Sequence, residues 1–556
     1  MWNKMGCTEF RDYMKIYLKT DVLLLVDIFE SFRDMCLGNQ TGYGLDPCHY
    51  FTAPGMAWDG ALKAYGGELE VLQDLDMILM FEKGMRGGIS MISHRYAKAN
   101  NPYLQNYEKN KENSYIMNMD MNNLYGGAML AHLPVRNFKK DEGVDKYTED
   151  LIKNMKDDAP KGATCMVDLE CSNHLHDKHN DYPLCPERME VTEKVFSPHN
   201  VNLTLLAKEK CKSSTKLSPN FHKKINYVIH YRALKQCLQL GMKLTKVHKV
   251  ITYDQEPWLK KYIESNTKNR IIAKLNKNAF LADFYKLMNN SVFGKTMENV
   301  RNHTKINLMV DYPDVELTPG QMSVERTLLR RLAKNNLSSV TIFNPYMCAV
   351  TRTKSLVVMD KPIYCGQSIL DISKTFMYDF HYNVMQAKYG YEGCRLLMTD
   401  TDSLCYHIKT NDIYLDMLAM QDKFDCSAYP KDHPLYSKVN CAVICKMKDV
   451  NNGIPIAEFV GLKPKMYGLR TEEIEELKAK GVVRYVVKKD LCFDDYKNVL
   501  DSGEIIKRDQ NTIRSFKHQL YTIKQNKIAL SAVDTKRWIK DDGVSSFAHG
   551  HYQIPI

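Results

Sequence analysis

Two aspartates interrupt an apolar run near residue 400, in the segment RLLMTDTDSLCYHIKT at 395–410. The apolar residues on either side predict two short strands that meet at a polar turn carrying Asp400 and Asp402. Residues two apart on a strand share a face, so we expect both carboxylates to point the same way. Like charges held that close repel, and a divalent cation between them would stabilise the pair. For this segment alone, a solvated turn is an equally good explanation, because Asp, Thr and Ser are common turn residues.

Length and composition bound the class of protein. The 556 residues suffice for several subdomains, and a 44% hydrophobic, 26% charged composition excludes a disordered or collagen-like chain. The longest apolar run, VLLLV at 22–26, is far shorter than the ~20 residues that span a bilayer, so we expect no membrane partner. The first residues lack the apolar core of a secretory signal. We therefore predict an intracellular protein, with the nucleus, an organelle or a viral replication site left open.

Positive charge is concentrated in one segment. The chain has a net charge of +11, and residues 201–280 hold 17 Lys or Arg against 4 Asp or Glu. Phe221, Tyr227, Tyr231 and Trp258 are interleaved with these cations. Cations that contact phosphates and aromatic faces that stack on bases would suit a nucleic-acid surface. A solvated helical face is the alternative.

A third carboxylate lies far upstream, where NMDMNNLYGG predicts a strand that runs into a turn after Asp120. Together with the pair near residue 400 it supplies the acidic groups that a two-metal phosphoryl-transfer site can use. Mg²⁺ needs only one or two carboxylates when substrate phosphates complete its shell. We therefore predict two Mg²⁺ ions as cofactors, with Mn²⁺ as a substitute.

The segment FYKLMNNSVFGKTMEN carries a candidate phosphate-binding face. If residues 279–293 are helical, Lys286, Asn290 and Phe293 lie on one face, where they offer a cation, an amide and an aromatic plane. Arg270 and Lys274 could join them only if the chain turns back before residue 280. An amphipathic helix with a core-facing Phe293 is the alternative.

Five segments together resemble the motifs of family B DNA polymerases, in the family's order. RGGIS at 86–90 resembles the glycine loop between the exonuclease and polymerase modules. DMNNLYG at 120–126 resembles the first palm motif, and KLMNNSVFG at 286–294 resembles the fingers motif. TDTDS at 399–403 resembles the second palm motif, and KMY at 465–467 resembles the Lys-x-Tyr thumb motif. The two wide gaps between the motifs resemble the insertions of the protein-primed branch, which occurs in phages, adenoviruses, linear plasmids and large self-synthesising transposons.

The resemblance implies an α+β fold of the right-hand type, with an antiparallel palm sheet, helical fingers, a thumb and two insertions. It divides the chain into seven parts. These are an exonuclease remnant (1–50), a linker with the first palm segment (51–135), a first insertion that contacts duplex or a priming protein (136–255), the fingers (256–300), a second insertion (301–350), the palm (351–455) and the thumb with a C-terminal tail (456–556).

The resemblance also implies roles for individual residues. Asp120 and Asp402 would hold the metals, with Asp400 in support and Lys465 as a further catalytic group. The nucleotide-binding residues would be Tyr125 under the sugar, Lys286 and Lys274 at the triphosphate, and Asn290 and Phe293 beside the nascent base pair. Lys465 and Tyr467 would hold the primer end, and Gly87 and Gly88 would let backbone approach the template. The implied partners are primer-template DNA, deoxynucleoside triphosphates and, as an open alternative, a terminal priming protein.

The chain departs from the family pattern at Asn123, Gly126 and Met398, where Ser, Pro and an aromatic residue are usual, and none of these removes a metal ligand. YLKTD, with Tyr17 and Asp21, resembles the third exonuclease motif, but the two earlier acidic motifs are absent. We therefore expect the C-terminal part of a longer polymerase or a truncated product.

The predicted function is template-directed DNA synthesis, in the protein-primed replication of a viral or transposon-like element. A catalytically silent remnant of a mobile element that only binds DNA is the second hypothesis. A metal-dependent nuclease is the third.

Overall fold

The computed structural model describes residues 2–38, 43–208, 213–311, 323–516 and 519–555. Their helices are α1 (Phe10–Leu37), α2 (Ala53–Tyr65), α3 (Leu75–Gly84), α4 (Leu124–Met129), α5 (Glu149–Asn154), α6 (His176–His179), α7 (Pro198–Leu206), α8 (Tyr231–Gln239), α9 (Lys260–Leu275), α10 (Ala279–Thr296), α11 (Val324–Leu332), α12 (Ile363–Tyr378), α13 (Ala387–Gly393), α14 (Ile413–Ala419), α15 (Arg484–Asp490) and α16 (Phe493–Ser502). A π-helical stretch, Asp379–Gln386, joins α12 to α13.

The strands are β1 (Ser90–Ile92), β2 (Tyr96–Lys98), β3 (Ser114–Met121), β4 (Leu133–Lys140), β5 (Lys161–Glu170), β6 (Glu187–Val191), β7 (Ser214–Ser218), β8 (Lys224–His230), β9 (Lys243–Glu256), β10 (Thr304–Val310), β11 (Leu337–Asn344), β12 (Met347–Thr353), β13 (Cys394–Asp400), β14 (Ser403–Lys409), β15 (Met447–Asp449), β16 (Glu458–Lys463), β17 (Met466–Arg470), β18 (Glu475–Ala479), β19 (Ile506–Phe516), β20 (Gln519–Leu530), β21 (Trp538–Ile539) and β22 (Ser546–Phe547). The strands pair antiparallel in every described sheet, so the fold mixes helices with antiparallel sheets as the α+β prediction requires.

The central sheet has the strand order β1-β13-β14-β3-β15. One face packs on a core that includes Met119 and Leu404, and the other packs on a second core that includes Ile116 and Cys405. Burial on both faces explains why these strands are nearly continuous apolar runs rather than alternating ones. Asp120 is the one residue of β3 that is not buried.

Helices α9 and α10 form an antiparallel pair beside the central sheet. The chain reverses at residues 276–278, and Asn278 caps α10 by accepting a hydrogen bond from the Leu281 N–H. The buried Asn266 amide donates to Asn289 across the pair at 2.9 Å, which fixes how the two helices face each other. The reversal before residue 280, on which the grouping of Lys274 with Lys286 depends, is therefore present.

Three sheets of the described residues lie wholly or mostly in the predicted insertions: β4-β9-β5-β8 and β6-β7 in the first, and β10-β12-β11 in the second. The sheet β4-β9-β5-β8 begins at Leu133 and ends at Glu256, so the predicted limits after 135 and 255 fall inside strands. The sheet β10-β12-β11 runs to Thr353, three residues beyond the predicted end of the second insertion. The ends of these sheets are set by strand pairing between segments far apart in sequence, and local composition does not reveal such pairing.

The C-terminal strands β16, β17 and β18 form a sheet with β2 from the N-terminal half, in the order β18-β17-β16-β2. This sheet packs on α16, and the long hairpin β19–β20 follows it in the chain. The segment after the hairpin returns to the central sheet. There Arg95 is fully buried and donates hydrogen bonds to the carbonyls of Ala532 and Gly543, which fastens this segment beside β1.

The predicted N-terminal helix is present as α1, and most of its apolar side chains are exposed. Its C-terminal end is held by an Arg33–Asp46 ion pair of 2.7 Å and by edge-on packing of Phe32 against Phe284. Among the described residues, no helix is both long and apolar enough to cross a membrane.

Candidate active site

Asp120 and Asp402 lie together at one end of the central sheet. In the register of β3 and β14, Asp120 is opposite Ser403, the residue that follows Asp402. The Met121 N–H donates to the Asp402 carbonyl at 2.7 Å, which ties the tip of the β13–β14 hairpin to the end of β3. Two carboxylates from separate parts of the sequence thus reach the same edge of the sheet.

The turn between β13 and β14 differs from the prediction in one respect. Asp400 ends β13, but Asp402 lies in the turn and not on a continuous strand, so the same-face argument does not apply to the pair. The Asp402 N–H donates to the Asp400 carbonyl at 2.8 Å across Thr401, whose φ is 68°. A γ-turn with a positive φ at its central residue is rare and strained, most of all for a β-branched residue.

Strained backbone recurs around the site. Asn123, which precedes α4, has φ 48°, and Lys465 has φ 65°. Asn tolerates this left-handed conformation better than other non-glycine residues, which accounts for Asn123 where Ser is usual. Its side chain also accepts a hydrogen bond from the Gly126 N–H at 3.3 Å. Such conformations persist only where the surroundings enforce them, and they cluster at functional sites.

Burial and neighbouring charges raise the pKa of both carboxylates. Burial and the Asp402 charge raise the pKa of Asp120 to about 6, against the opposing effect of the Lys286 and Lys448 ammonium groups. Burial, with the charge of Asp400, also raises the pKa of Asp402, while Lys286 and Lys465 act to lower it. A cation beside both groups would relieve the repulsion that these shifts report.

The donor set suits Mg²⁺ better than a closed metal site. Within the described ranges, no three or more His, Cys, Asp or Glu side chains are grouped to hold a metal. Two carboxylates without a third protein ligand leave room for phosphate oxygens, the arrangement that Mg²⁺ accepts in nucleotide-binding sites.

Tyr125 and Phe293 join the end of β3 to α10. Their rings are stacked, with centroids 4.3 Å apart and planes at 14°. Burial and the Asp402 charge raise the pKa of Tyr125 to about 12, so its hydroxyl is neutral at physiological pH. Lys286 and Asn290 are exposed on α10, whereas Asn289 is buried and holds α9.

Lys274 lies on the other helix of the pair. Burial and the neighbouring Arg270 lower the pKa of Lys274, and Lys448 acts in the same direction. The charge of Lys286 thus acts to lower the pKa of both aspartates, whereas the charges of Arg270 and Lys448 act to lower the pKa of Lys274.

Lys465 makes a specific contact that assigns a partner to Asp400. Its ammonium group is 3.0 Å from an Asp400 carboxylate oxygen. Tyr467, two residues on in β17, is half-buried, and its pKa is raised by burial and by nearby carboxylates that include Asp400 and Asp120. The KMY segment therefore lies against the same hairpin as the metal-ligand candidates.

The two glycines of RGGIS have different surroundings. A Cβ on Gly88 would lie 2.4 Å from the Thr401 Oγ1, whereas a Cβ on Gly87 would meet nothing within 4 Å. The Thr401 N–H donates to the Ile89 carbonyl at 2.7 Å, and Ser90 pairs with Asp400. Gly88 thus lets the loop lie directly on the turn that carries Asp402. Gly87 lines a neighbouring cavity of about 430 Å³.

Comparison with known families identifies the family of the chain. The family model described as DNA polymerase type B, organellar and viral, matches residues 1–387. The chain belongs to this family. It is therefore a DNA-directed DNA polymerase by family.

Solved structures and curated proteins were also compared with this polymerase. Phi29 DNA polymerase with primer-template DNA in the post-translocation binary complex is 15% identical, covers 87% of this chain and 68% of its own, and has a TM-score of 0.49. The ternary complex of the same enzyme with incoming nucleotides is 14% identical, covers 86% and 68%, and has a TM-score of 0.48. The search of curated proteins found no match.

Two lysines that the motifs do not include also lie at the polymerase's candidate site. Lys448 is directly opposite Asp120 in the register of β15 and β3. Lys536, from the C-terminal segment, donates to the Ser90 carbonyl at 2.8 Å, and burial together with the nearby Lys216 and Lys465 lowers its pKa. No local pattern in the sequence marks either residue, because each is brought in by long-range pairing.

The exonuclease-like segment of the polymerase lies apart from these residues. Tyr17 and Asp21 are exposed on α1. In the described part of the chain, neither belongs to a group of three potential metal ligands.

Proposed function

We propose that the chain adds deoxynucleotides to a primer 3′-hydroxyl under the direction of a template, with Asp120 and Asp402 holding two Mg²⁺ ions. The observation that carries this proposal is the meeting of the two half-buried carboxylates at the hairpin tip, with the exposed Lys286 close to both. When bound, the ions would polarise the primer hydroxyl and offset charge on the triphosphate.

In this proposal the central sheet is the palm and the pair α9–α10 is the fingers. The sheet β18-β17-β16-β2 and the hairpin β19–β20 form the thumb. The protein residues mainly position the reactants: Tyr125 and Phe293 bound the sugar and base, and Lys286 and Lys274 bind phosphates. Lys465 and Tyr467 hold the primer end. Catalysis of this kind rests on orientation and preorganised charge.

The decisive experiment is Mg²⁺-dependent extension of a primed template by this chain. Asp402→Asn should abolish extension and leave the affinity for primer-template DNA nearly unchanged, because the amide cannot replace an anionic ligand. Asp432→Asn, which removes an exposed carboxylate, is the matched control and should extend normally. Retained extension by Asp402→Asn would remove the metal assignment.

We further propose that the first insertion contacts the primer-terminus duplex or a priming protein, in replication of a viral or transposon-like element. Lys243, Lys246 and Lys249 are exposed along β9 and supply the positive charge. If they contact phosphates, replacing all three with Gln should weaken duplex binding and lower the slope of log affinity against log salt by up to about 2.7. Unchanged duplex binding would leave the priming protein as the partner of this surface.

A further inference from the structure

Lys448 occupies a defined place beside the candidate metal ligands. It is the central residue of β15 and is paired directly with Asp120 of β3. Directly opposed residues of an antiparallel pair project from the same face, with Cβ atoms about 5 Å apart. The half-buried Lys448 side chain therefore leaves the central sheet on the same side as the Asp120 carboxylate.

The stacked rings of Tyr125 and Phe293 place α10 beside the end of β3 that carries Asp120. Lys286 lies two turns before Phe293 on the same face of α10. Lys448 on the sheet and Lys286 on α10 therefore both lie near the Asp120 end of β3.

Across the ranges that the structure describes, the ammonium groups of Lys274, Lys286 and Lys448 make no hydrogen bond and no ion pair. Other lysines close by are paired: Lys465 with Asp400, and Lys446 with the Asp422 carbonyl. Unpaired cations near one another repel, and a polyanion that binds to them offsets that repulsion.

We propose that Lys448 binds the triphosphate of the incoming nucleotide from the side of the central sheet, opposite Lys286 on α10. This inference rests on the proposed polymerase function and adds a binding residue to it. The contact is with phosphate oxygens, so it serves all four deoxynucleotides equally. It also holds the pyrophosphate in the reverse reaction.

The test measures single-nucleotide incorporation by Lys448→Ala, Lys448→Arg and Lys446→Ala. Lys448→Ala should raise the KM for the nucleotide about tenfold, with kcat within about twofold, because one charge-assisted hydrogen bond is lost. Lys448→Arg should recover most of this loss. Lys446→Ala removes the same charge two residues away and should leave KM unchanged.

Pyrophosphorolysis and Mg²⁺ titration separate this role from one in which Lys448 only positions Asp120. A phosphate contact predicts that Lys448→Ala also raises the KM for inorganic pyrophosphate, with the half-saturating Mg²⁺ concentration unchanged at saturating nucleotide. The proposal would be overturned if Lys448→Ala left the KM for both phosphate ligands unchanged. It would also be overturned if the variant raised only the half-saturating Mg²⁺ concentration.

A binding measurement keeps the inference separate from the proposed function. The affinity of a deoxynucleoside triphosphate with Mg²⁺ is measured on the complex with a dideoxy-terminated primer-template, which needs no turnover. If the wild-type chain fails to extend primers, the proposed activity fails. Equal nucleotide affinity of the wild type and Lys448→Ala would then overturn the role of Lys448 as well, and weaker binding by the variant would support it.

Discussion

The Tyr125 ring lies flat against Phe293, with centroids 4.3 Å apart, and so joins the end of β3 to α10. The contact fixes an aromatic wall beside Asp402, whose charge contributes to the raised pKa of the Tyr125 hydroxyl. A wall in this position would occupy the space that a 2′-hydroxyl needs.

Replacing Tyr125 with Val should raise ribonucleotide incorporation relative to deoxynucleotide incorporation by about 10- to 100-fold, the range that shape differences of this size provide. The measurement is the ratio of kcat/KM for the two nucleotide types. Tyr125→Phe keeps the ring and removes only the hydroxyl, so it should discriminate like the wild type. Unaltered discrimination by Tyr125→Val would show that the ring is not the gate.

Gly88 tests whether the glycine loop supports the turn that carries Asp402. Gly88→Ala places a Cβ 2.4 Å from the Thr401 Oγ1 and 2.9 Å from its Cβ, so the turn must shift. We expect extension to fall about tenfold or more, because small displacements of positioning groups are costly. Gly87→Ala has open space around its Cβ and should extend normally.

A double variant makes the Gly88 prediction specific. Thr401→Gly removes the three atoms nearest to the new Cβ, so Gly88→Ala combined with Thr401→Gly should recover activity relative to Gly88→Ala alone. No recovery would mean that Gly88 acts through another contact.

Local sequence patterns predicted the parts of the site that local physics determines. The strands flanking Asp400 and Asp402, the strand ending near Asp120 and the helix carrying Lys286 follow from hydrophobic spacing and appear as predicted. The roles of individual residues came from the resemblance and remain predictions.

Pairing between distant segments was not predictable in the same way. Lys448 reaches Asp120, and Lys536 reaches Ser90, only because strands and tail meet in three dimensions. The position of Asp402 in the turn also depends on one backbone conformation, the positive φ of Thr401, that residue type does not reveal. The spacing of residues in the sequence reveals periodicity. Strand register and the packing of distant segments against the central sheet depend on the whole fold.

Asp181 provides a pH-dependent test of the support beneath the hairpin. Its buried carboxylate accepts hydrogen bonds from His94 at 2.9 Å and from the Leu396 N–H of β13 at 3.1 Å. Burial acts to raise its pKa, but His94, with Arg395 and Arg537, holds the pKa of Asp181 well below its usual range. A carboxylate whose pKa is lowered on folding stabilises the folded state at pH values above its unfolded pKa of about 3.9. That stabilisation is lost progressively as the pH falls below this value.

Asp181→Asn should therefore lower the Tm most at neutral pH, by an amount equivalent to about 3 kcal/mol, the cost of breaking a buried pair. The Tm difference from the wild type should narrow as pH falls from 5 towards 3. Thermal unfolding followed by circular dichroism at several pH values measures it. Asp541→Asn, which alters an exposed carboxylate, should show no such gap. A gap for Asp181→Asn that stays constant with pH would contradict the assigned ionisation.

The Asp400–Lys465 ion pair distinguishes the two aspartates of the hairpin. Because Asp400 contacts Lys465 at 3.0 Å, we expect Asp400 to position Lys465 at the primer end rather than to bind metal directly. Asp400→Asn should then weaken primer-terminus binding and slow extension by about tenfold, since half-exposed pairs contribute modestly. Asp402→Asn should abolish extension.

Lys465→Ala should resemble Asp400→Asn. Combining the two substitutions should slow extension little more than either alone, because both remove the same contact. Primer extension at varied primer-template concentrations measures these effects, and complete loss of activity in Asp400→Asn would instead place Asp400 among the metal ligands.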